Sequence, residues 1–158
     1  MNIYLENVNL NSTSGPNYFA SKLINYLSFF GCTFSSPELN KKTDIQLSFI
    51  ESFSRLADTA LIQRLDGIYF NANFDCEKMN YNIKRTYEEA NGVVFQTQFN
   101  KDLIFNWFGE HKNYTIIHNG ADEPLISSIK DHWPHLEKYS NVWSCASNWH
   151  PFKRLSEN

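Results

Sequence analysis

The chain is poor in the features that mark several large classes of protein. Its 158 residues include three cysteines and six glycines, and the formal net charge is −3. An odd number of widely spaced cysteines does not make a disulfide framework. A net negative charge argues against nucleic acid as the main partner, because binding to phosphates requires a basic surface. The hydrophobic share of 42% indicates a chain that folds around a core rather than a disordered one.

Signals for export and for membrane insertion are also lacking. The first ten residues carry Glu6 and no basic segment before an apolar run, unlike a secretory signal peptide. No stretch approaches the roughly 18 apolar residues that a membrane-spanning helix needs. Together with the cysteine usage, these absences predict a cytoplasmic protein with no membrane span.

Motifs for metal sites and covalent nucleophiles are missing as well. The five histidines show no HExxH spacing and no CxxC partner, and there is no GxSxG or Cys/His arrangement. The sequence therefore predicts that no metal ion and no covalent nucleophile take part in the function.

What the sequence does contain is an alternation of strand and helix patterns. Strand-like segments occupy residues 2–8, 32–36, 44–50, 59–65, 92–96 and 114–118, and helical segments occupy 17–31, 80–91 and 100–108. Ser14 and Pro16 suit the start of the first helix. This alternation favours a Rossmann-like three-layer α/β domain with a mainly parallel sheet. After a mixed segment, residues 141–149 resemble a fresh strand.

Loops that follow strands are the places to search for a ligand site, because parallel sheets bind ligands beyond the carboxyl ends of their strands. The loop STSGPN contains Ser14, Gly15 and Asn17. Here a glycine allows close backbone approach, and a helix N-terminus offers N–H groups. The simpler interpretation is an ordinary capped turn.

Two further loops carry titratable residues. Asp66 could accept hydrogen bonds from sugar hydroxyls or stabilise a developing positive charge, but it also fits an Asp-Gly turn with Arg64 as a salt-bridge partner. His118, in the segment HNGAD, could be a catalytic base or simply a structural residue at a strand end. These patterns alone predict an α/β domain with ligand-capable loops.

In their order, the segments resemble the retaining GT-B glycosyltransferases often called group 1 or family 4. The resemblance runs through NIYLENVNLNSTSGPNYFASKLINYLSFFG, TYEEANGVVFQTQFNKDLIFNWFG, YTIIHNGAD and CASNWHPFKRL. The third segment, similar to the "iihNGvD" of the family, is the most specific match. The resemblance covers nearly the whole chain.

The resemblance implies a glycosyltransferase of the hexosyltransferase type, which transfers a sugar from a nucleotide-sugar donor to a glycan-type acceptor without a metal ion or another cofactor. Residues 1–138 would form the acceptor-side domain, the N-terminal half of a GT-B fold. Residues 139–158 would begin a donor-binding domain whose remainder is missing, which implies a truncated chain that is inactive by itself.

The resemblance also assigns roles to single residues. Gly15 would lie in the glycine loop that approaches the donor phosphates and the acceptor. Ser14, Asn17 and His118 are predicted to bind acceptor or donor with it, because they follow strands at the same edge of the sheet. Asp66 stands where many members have a histidine near the transferred sugar, and would be catalytic. Lys153 matches the lysine that pairs with the donor diphosphate. Asn148 stands where the family usually has an arginine, so either diphosphate binding would be weaker or Arg154 would supply the second positive charge.

Two other hypotheses about the function of the chain stay open. One is a stand-alone Rossmann-like module that binds a small ligand without turnover. The other is an interaction domain, in which aromatic residues such as Tyr18, Trp107 and Trp133 stack on sugars or on a protein partner.

Overall fold

A single six-stranded sheet, parallel throughout, organises the part of the chain that the structure describes. The computed structural model describes residues 1–12, 14–35, 42–70, 75–120 and 127. The strands are β1 (Asn2–Glu6), β2 (Thr33–Ser35), β3 (Ile45–Phe49), β4 (Ala60–Leu65), β5 (Gly92–Phe95) and β6 (Tyr114–Ile116). Their order across the sheet is β2-β1-β3-β4-β5-β6, and each neighbouring pair is parallel.

Three helices connect these strands: α1 (Gly15–Ser28), α2 (Cys76–Glu89) and α3 (Gln98–Phe108). Helix α2 begins earlier than predicted because Asp75 caps it, accepting a hydrogen bond from the Lys78 N–H at 3.1 Å. Thr97 caps α3 in the same way through the Asn100 N–H, at 3.1 Å. None of the helices described is long and apolar enough to cross a membrane.

The helices lie on both faces of the sheet. Gln63 and Arg64 are neighbours on β4, so their side chains point to opposite faces. The Gln63 amide donates to the Ile83 carbonyl of α2 at 3.1 Å, whereas the Arg64 guanidinium lies 4.0 Å from the centre of the Phe19 ring of α1. The α2/α3 face carries the main apolar core, whose fully buried members are Leu61, Leu65, Phe95 and Ile104. The predicted Rossmann-like α/β fold is confirmed.

Two predictions lie outside the described residues: the strand over 141–149 and the domain boundary near residue 138. Both stay predictions. The six strands and three helices belong to one compact unit, Met1–Asn119.

An irregular segment, the β3–β4 loop (residues 50–59), takes the place of a crossover helix between β3 and β4. A loop packed on a sheet needs partners for its backbone polar groups. Glu6, only 4% exposed, accepts hydrogen bonds from the Phe53 and Ser54 N–H groups at 2.8 and 3.0 Å. Gln46 donates to the Ser54 carbonyl and accepts from the Leu56 N–H, each at 2.8 Å. Buried polar side chains therefore fix this loop.

Tyr87 makes the stability of the α2/α3 side sensitive to alkaline pH. Its hydroxyl donates to the Gly109 carbonyl at 2.8 Å. Burial, and secondly the Glu110 carboxylate, raise the pKa of Tyr87 from 10.0 to about 12. Because the folded chain holds this proton more tightly than the unfolded chain does, the stabilisation present below about pH 10 is lost as the pH rises towards about 12.

This loss can be measured by urea unfolding at about pH 8 and about pH 11, values on either side of the ordinary tyrosine pKa. The wild-type chain is expected to lose more stability between the two than Tyr87→Phe, which has no proton to release at this position. Equal losses in the two chains would contradict the prediction.

Candidate functional site

The direction in which the chain adds strands reverses between β1 and β3. From β1, helix α1 leads to β2 on one side, whereas β3, β4, β5 and β6 follow on the other side. In open parallel sheets such a reversal leaves a crevice outside the carboxyl ends of the two strands, where the loops diverge and ligands bind. The loops after β1 and β3 are therefore the first to consider.

Each of the two strands at the reversal is followed directly by a residue with left-handed backbone. Asn7 follows β1 with φ 60°, and Ile50 follows β3 with φ 70°. The Asn7 side chain donates to the Phe49 carbonyl at 2.8 Å and so ties the two strand ends together. A β-branched residue pays a high conformational cost in this region, of order 1–3 kcal/mol. Such strain clusters at ligand sites, where the surrounding structure holds it in place.

A cleft of about 690 Å³ lies beside the end of β1, on the side of β2, and its lining residues come from β1, the segment after it, α1 and β2. We call it the switch-point cleft. Its polar lining consists of amide, phenol and hydroxyl groups, from Tyr4, Asn7, Asn9, Asn17 and Ser35. Its apolar lining comes from Leu5, Val8, Leu10, Ile24 and Phe34. None of these ten lining residues carries a charged side chain.

The predicted glycine loop forms one wall of the switch-point cleft through Asn17. The Asn17 amide accepts a hydrogen bond from the Asn9 N–H and donates to the Ser14 hydroxyl, both at 2.9 Å. Ser14 is the N-cap residue of α1, but its side chain makes no capping hydrogen bond. The loop is therefore fixed to the helix start while the first backbone N–H groups of α1 remain uncapped by Ser14.

Gly15 begins α1 at an exposed position. A Cβ atom added there would meet no atom of the described residues within 4 Å. The packing of the described residues therefore does not require glycine at this position.

The Tyr4 phenol contributes a neutral donor to the switch-point cleft. Burial, and secondly the Glu6 carboxylate, raise the pKa of Tyr4 above its ordinary value. The phenol therefore keeps its proton at neutral pH and can both donate and accept a hydrogen bond.

Asp66 lies in a second group, the Arg64 cluster, formed by Arg64, Asp66 and Asn119. Arg64 is 5% exposed. Its guanidinium forms a short ion pair with the Asp66 carboxylate and donates to the Asn119 side chain at 3.1 Å. The Asp66 carbonyl accepts from the Asn100 side chain at 2.8 Å. The interpretation of Arg64 as a salt-bridge partner is confirmed, while the catalytic role of Asp66 stays a prediction.

His118 is exposed on the short segment between β6 and Asn119. In the part of the chain that the structure describes, no hydrogen bond connects Asp66 or His118 with Ser14, Gly15 or Asn17. The Arg64 guanidinium lies over the ring of Phe19, two residues after Asn17, and so contacts the helix that carries Asn17. That these residues form one site stays a prediction, and Lys153 and Arg154 lie outside the described residues.

Sequence reasoning missed Asn7 and Asn9 as site residues. The available signal was the repeated asparagine directly after β1, in the run NVNLN. Asparagine tolerates left-handed backbone and is therefore suited to a strained turn at a strand end.

Among the residues described, no group of three or more histidine, cysteine, aspartate or glutamate side chains is placed to hold a metal ion. Comparisons of the chain with models of protein families, with curated proteins and with solved structures found no match.

Proposed function

We propose that this chain supplies the acceptor-side domain of a glycosyltransferase that takes its sugar from a nucleotide-sugar donor. The observation that carries the proposal is the switch-point cleft beside the Ser14–Asn17 loop. Its volume of about 690 Å³ falls within the range of about 300–1,000 Å³ found for small-molecule sites. A lining that combines amide and hydroxyl groups with apolar side chains suits a sugar, which presents hydroxyls on its edges and C–H groups on its faces.

In this proposal the acceptor lies in the switch-point cleft with one hydroxyl directed towards the donor. Asp66 would act on the transferred sugar, stabilising the positive charge that develops as the leaving diphosphate departs. Basic side chains, Lys153 and Arg154 among them, would stabilise that diphosphate, so that no metal ion is required. A donor-binding domain outside the described residues would hold most of the nucleotide.

The competing function is a module that binds a small ligand in the same cleft without turnover. It is favoured by the position of the cleft, because the ten lining residues all belong to the first 35 residues. Transfer activity separates the two functions, whereas ligand binding alone does not.

The first test is calorimetry of the 158-residue chain with UDP- and GDP-sugars. We expect millimolar or weaker binding, on the order of 4 kcal/mol at most, because the nucleotide is held elsewhere. Micromolar binding would show that the donor site is assigned to the wrong part of the protein. The second test is transfer of labelled sugar by the product of the complete gene. Absence of transfer with a wide panel of donors and acceptors would favour the binding module.

Gly15→Val provides a sharper test of the loop. Because an added Cβ atom meets no atom of the described residues within 4 Å, we expect the free energy of unfolding to change by less than about 1 kcal/mol. Acceptor binding to the chain and transfer by the complete gene product should both fall strongly, since the added methyl groups block close approach of a ligand to the backbone.

Gly15→Ala is the matched control, with a smaller side chain at the same place. It should retain the fold and more of the binding. Full binding and transfer by Gly15→Val would show that this loop does not approach the ligand.

A further inference from the structure

We infer that the switch-point cleft selects an uncharged, hydroxyl-rich ligand, a neutral sugar, over a phosphorylated or carboxylated one. This inference rests on the proposed function, whose acceptor class it specifies. It depends on three properties of the described lining: its hydrogen-bonding groups, its apolar surface and its charge.

The hydrogen-bonding groups of the cleft complement hydroxyls. A sugar hydroxyl both donates and accepts, and so do side-chain amides, phenols and serine hydroxyls. Asn7 and Asn17 each use one amide hydrogen, on the Phe49 carbonyl and on the Ser14 hydroxyl. An amide nitrogen carries two hydrogens, so each retains a donor for a ligand. The side-chain oxygen Oδ1 of Asn9 accepts from the Asn11 N–H at 3.0 Å, which fixes the orientation of the Asn9 side-chain amide.

The apolar lining offers surface to the C–H face of a sugar ring. Leu10 and Phe34 line the cleft together with the ring of Tyr4, and Leu10 is 53% exposed. A strongly hydrated, doubly charged phosphate gains nothing from such surface, because burying a charge without a partner is costly.

The charged groups closest to this region along the chain are already engaged. The Glu6 carboxylate is buried against the backbone of the β3–β4 loop and also accepts from the Gln46 amide at 2.6 Å. Lys22 of α1 lies over the Tyr18 ring, 4.9 Å from its centre. Among the described lining residues, no lysine or arginine is present to neutralise an anion.

The experiment compares neutral with acidic sugars on the intact 158-residue chain. Lactose and maltotriose serve as neutral probes, and glucose 6-phosphate and glucuronic acid as acidic probes. Binding is followed by two-dimensional ¹⁵N NMR, in which the side-chain amide signals of Asn9 and Asn17 report directly on the cleft. We expect at least one neutral probe to shift these signals and to bind about tenfold or more tightly than either acidic probe. A tenfold difference in affinity corresponds to about 1.4 kcal/mol.

Asn9→Ala should weaken binding of the neutral probe at least fivefold, whereas Asn106→Ala, a change at an exposed position of α3, should leave it unchanged. Because the amide signals of Asn17 report on the cleft without any substitution, a misfolded variant does not remove the test. Equal or tighter binding of the acidic probes, or no response of the cleft signals to any probe, would overturn the inference.

The outcome also separates this inference from the proposed function. Selective binding of neutral sugars without transfer by the complete gene product would overturn the glycosyltransferase alone. Transfer onto an acidic acceptor that shifts the same amide signals would overturn the neutral selectivity alone.

Discussion

Glu6→Ala is expected to lower the free energy of unfolding by about 4 kcal/mol, the largest effect of any single substitution considered. Removing the carboxylate leaves the Phe53 and Ser54 N–H groups without their acceptor, while the Gln46 amide keeps the Ser52 hydroxyl and the Ser54 carbonyl as acceptors. Each buried donor left unsatisfied costs about 1–3 kcal/mol. Because a domain of this size has a total stability of about 5–15 kcal/mol, the variant should be only marginally folded at 37 °C.

Urea unfolding followed by circular dichroism measures this loss. Limited trypsin digestion gives a second measurement, because Arg55 lies in the β3–β4 loop that Glu6 anchors; cleavage there should become faster in the variant. Glu89→Ala is the matched control, since Glu89 is exposed on α2, and it should change stability by less than about 0.5 kcal/mol. A loss below about 1 kcal/mol for Glu6→Ala would mean that water replaces the carboxylate at little cost.

Arg64→Met is expected to destabilise the chain by about 3 kcal/mol. Methionine fills much of the same space but loses the ion pair to Asp66 and the hydrogen bond to Asn119. It also loses the stacking of the guanidinium on the Phe19 and Phe49 rings, at 4.0 and 5.4 Å from their centres. A buried cation–π contact contributes up to about 2 kcal/mol.

Lys84→Met is the control for the loss of a charge on a helix surface. The Lys84–Glu88 pair is exposed and its atoms are 3.8 Å apart, so its loss should cost less than about 0.5 kcal/mol. If Arg64→Met cost no more than this control, the Arg64 cluster would be stable without its cation. Arg64 would then not be required to hold the Asp66 carboxylate in position.

The sequence predicted the strands and helices well where their pattern is local. Strand β5 and helix α3 are recognisable from GVVF and from apolar residues at helical spacing before Gly109, which indeed ends α3 with φ 90°. The start of α2 was predicted too late because its first turn is polar, and the decisive residue, Asp75, acts by capping rather than by hydrophobicity.

Burial of polar residues could not be predicted from local pattern. Glu6 reads as an ordinary charged residue at a strand end, and its partners in the β3–β4 loop come more than forty positions later in the chain. For the same reason, the site could be predicted only in part. Asn17 follows from its glycine loop, but Asn7 and Asn9 become site residues only because the strand order leaves a cleft on their side of β1.

The strand order has a consequence for how the chain acquires its fold. Parallel neighbours cannot be joined by a tight hairpin, so none of the pairings can form from residues adjacent in sequence. The pairs made by the first strand have the largest separations in sequence. Ile3 pairs with Phe34 on one side and with Ile45 on the other. The chain loses the entropy of loop closure before those contacts can stabilise it, and folding is therefore slow for a chain of this length. During synthesis, Ile3 has no strand partner until β2 has left the ribosome, and Leu5 has none until β3 has done so. Association between nascent chains competes with folding throughout that interval.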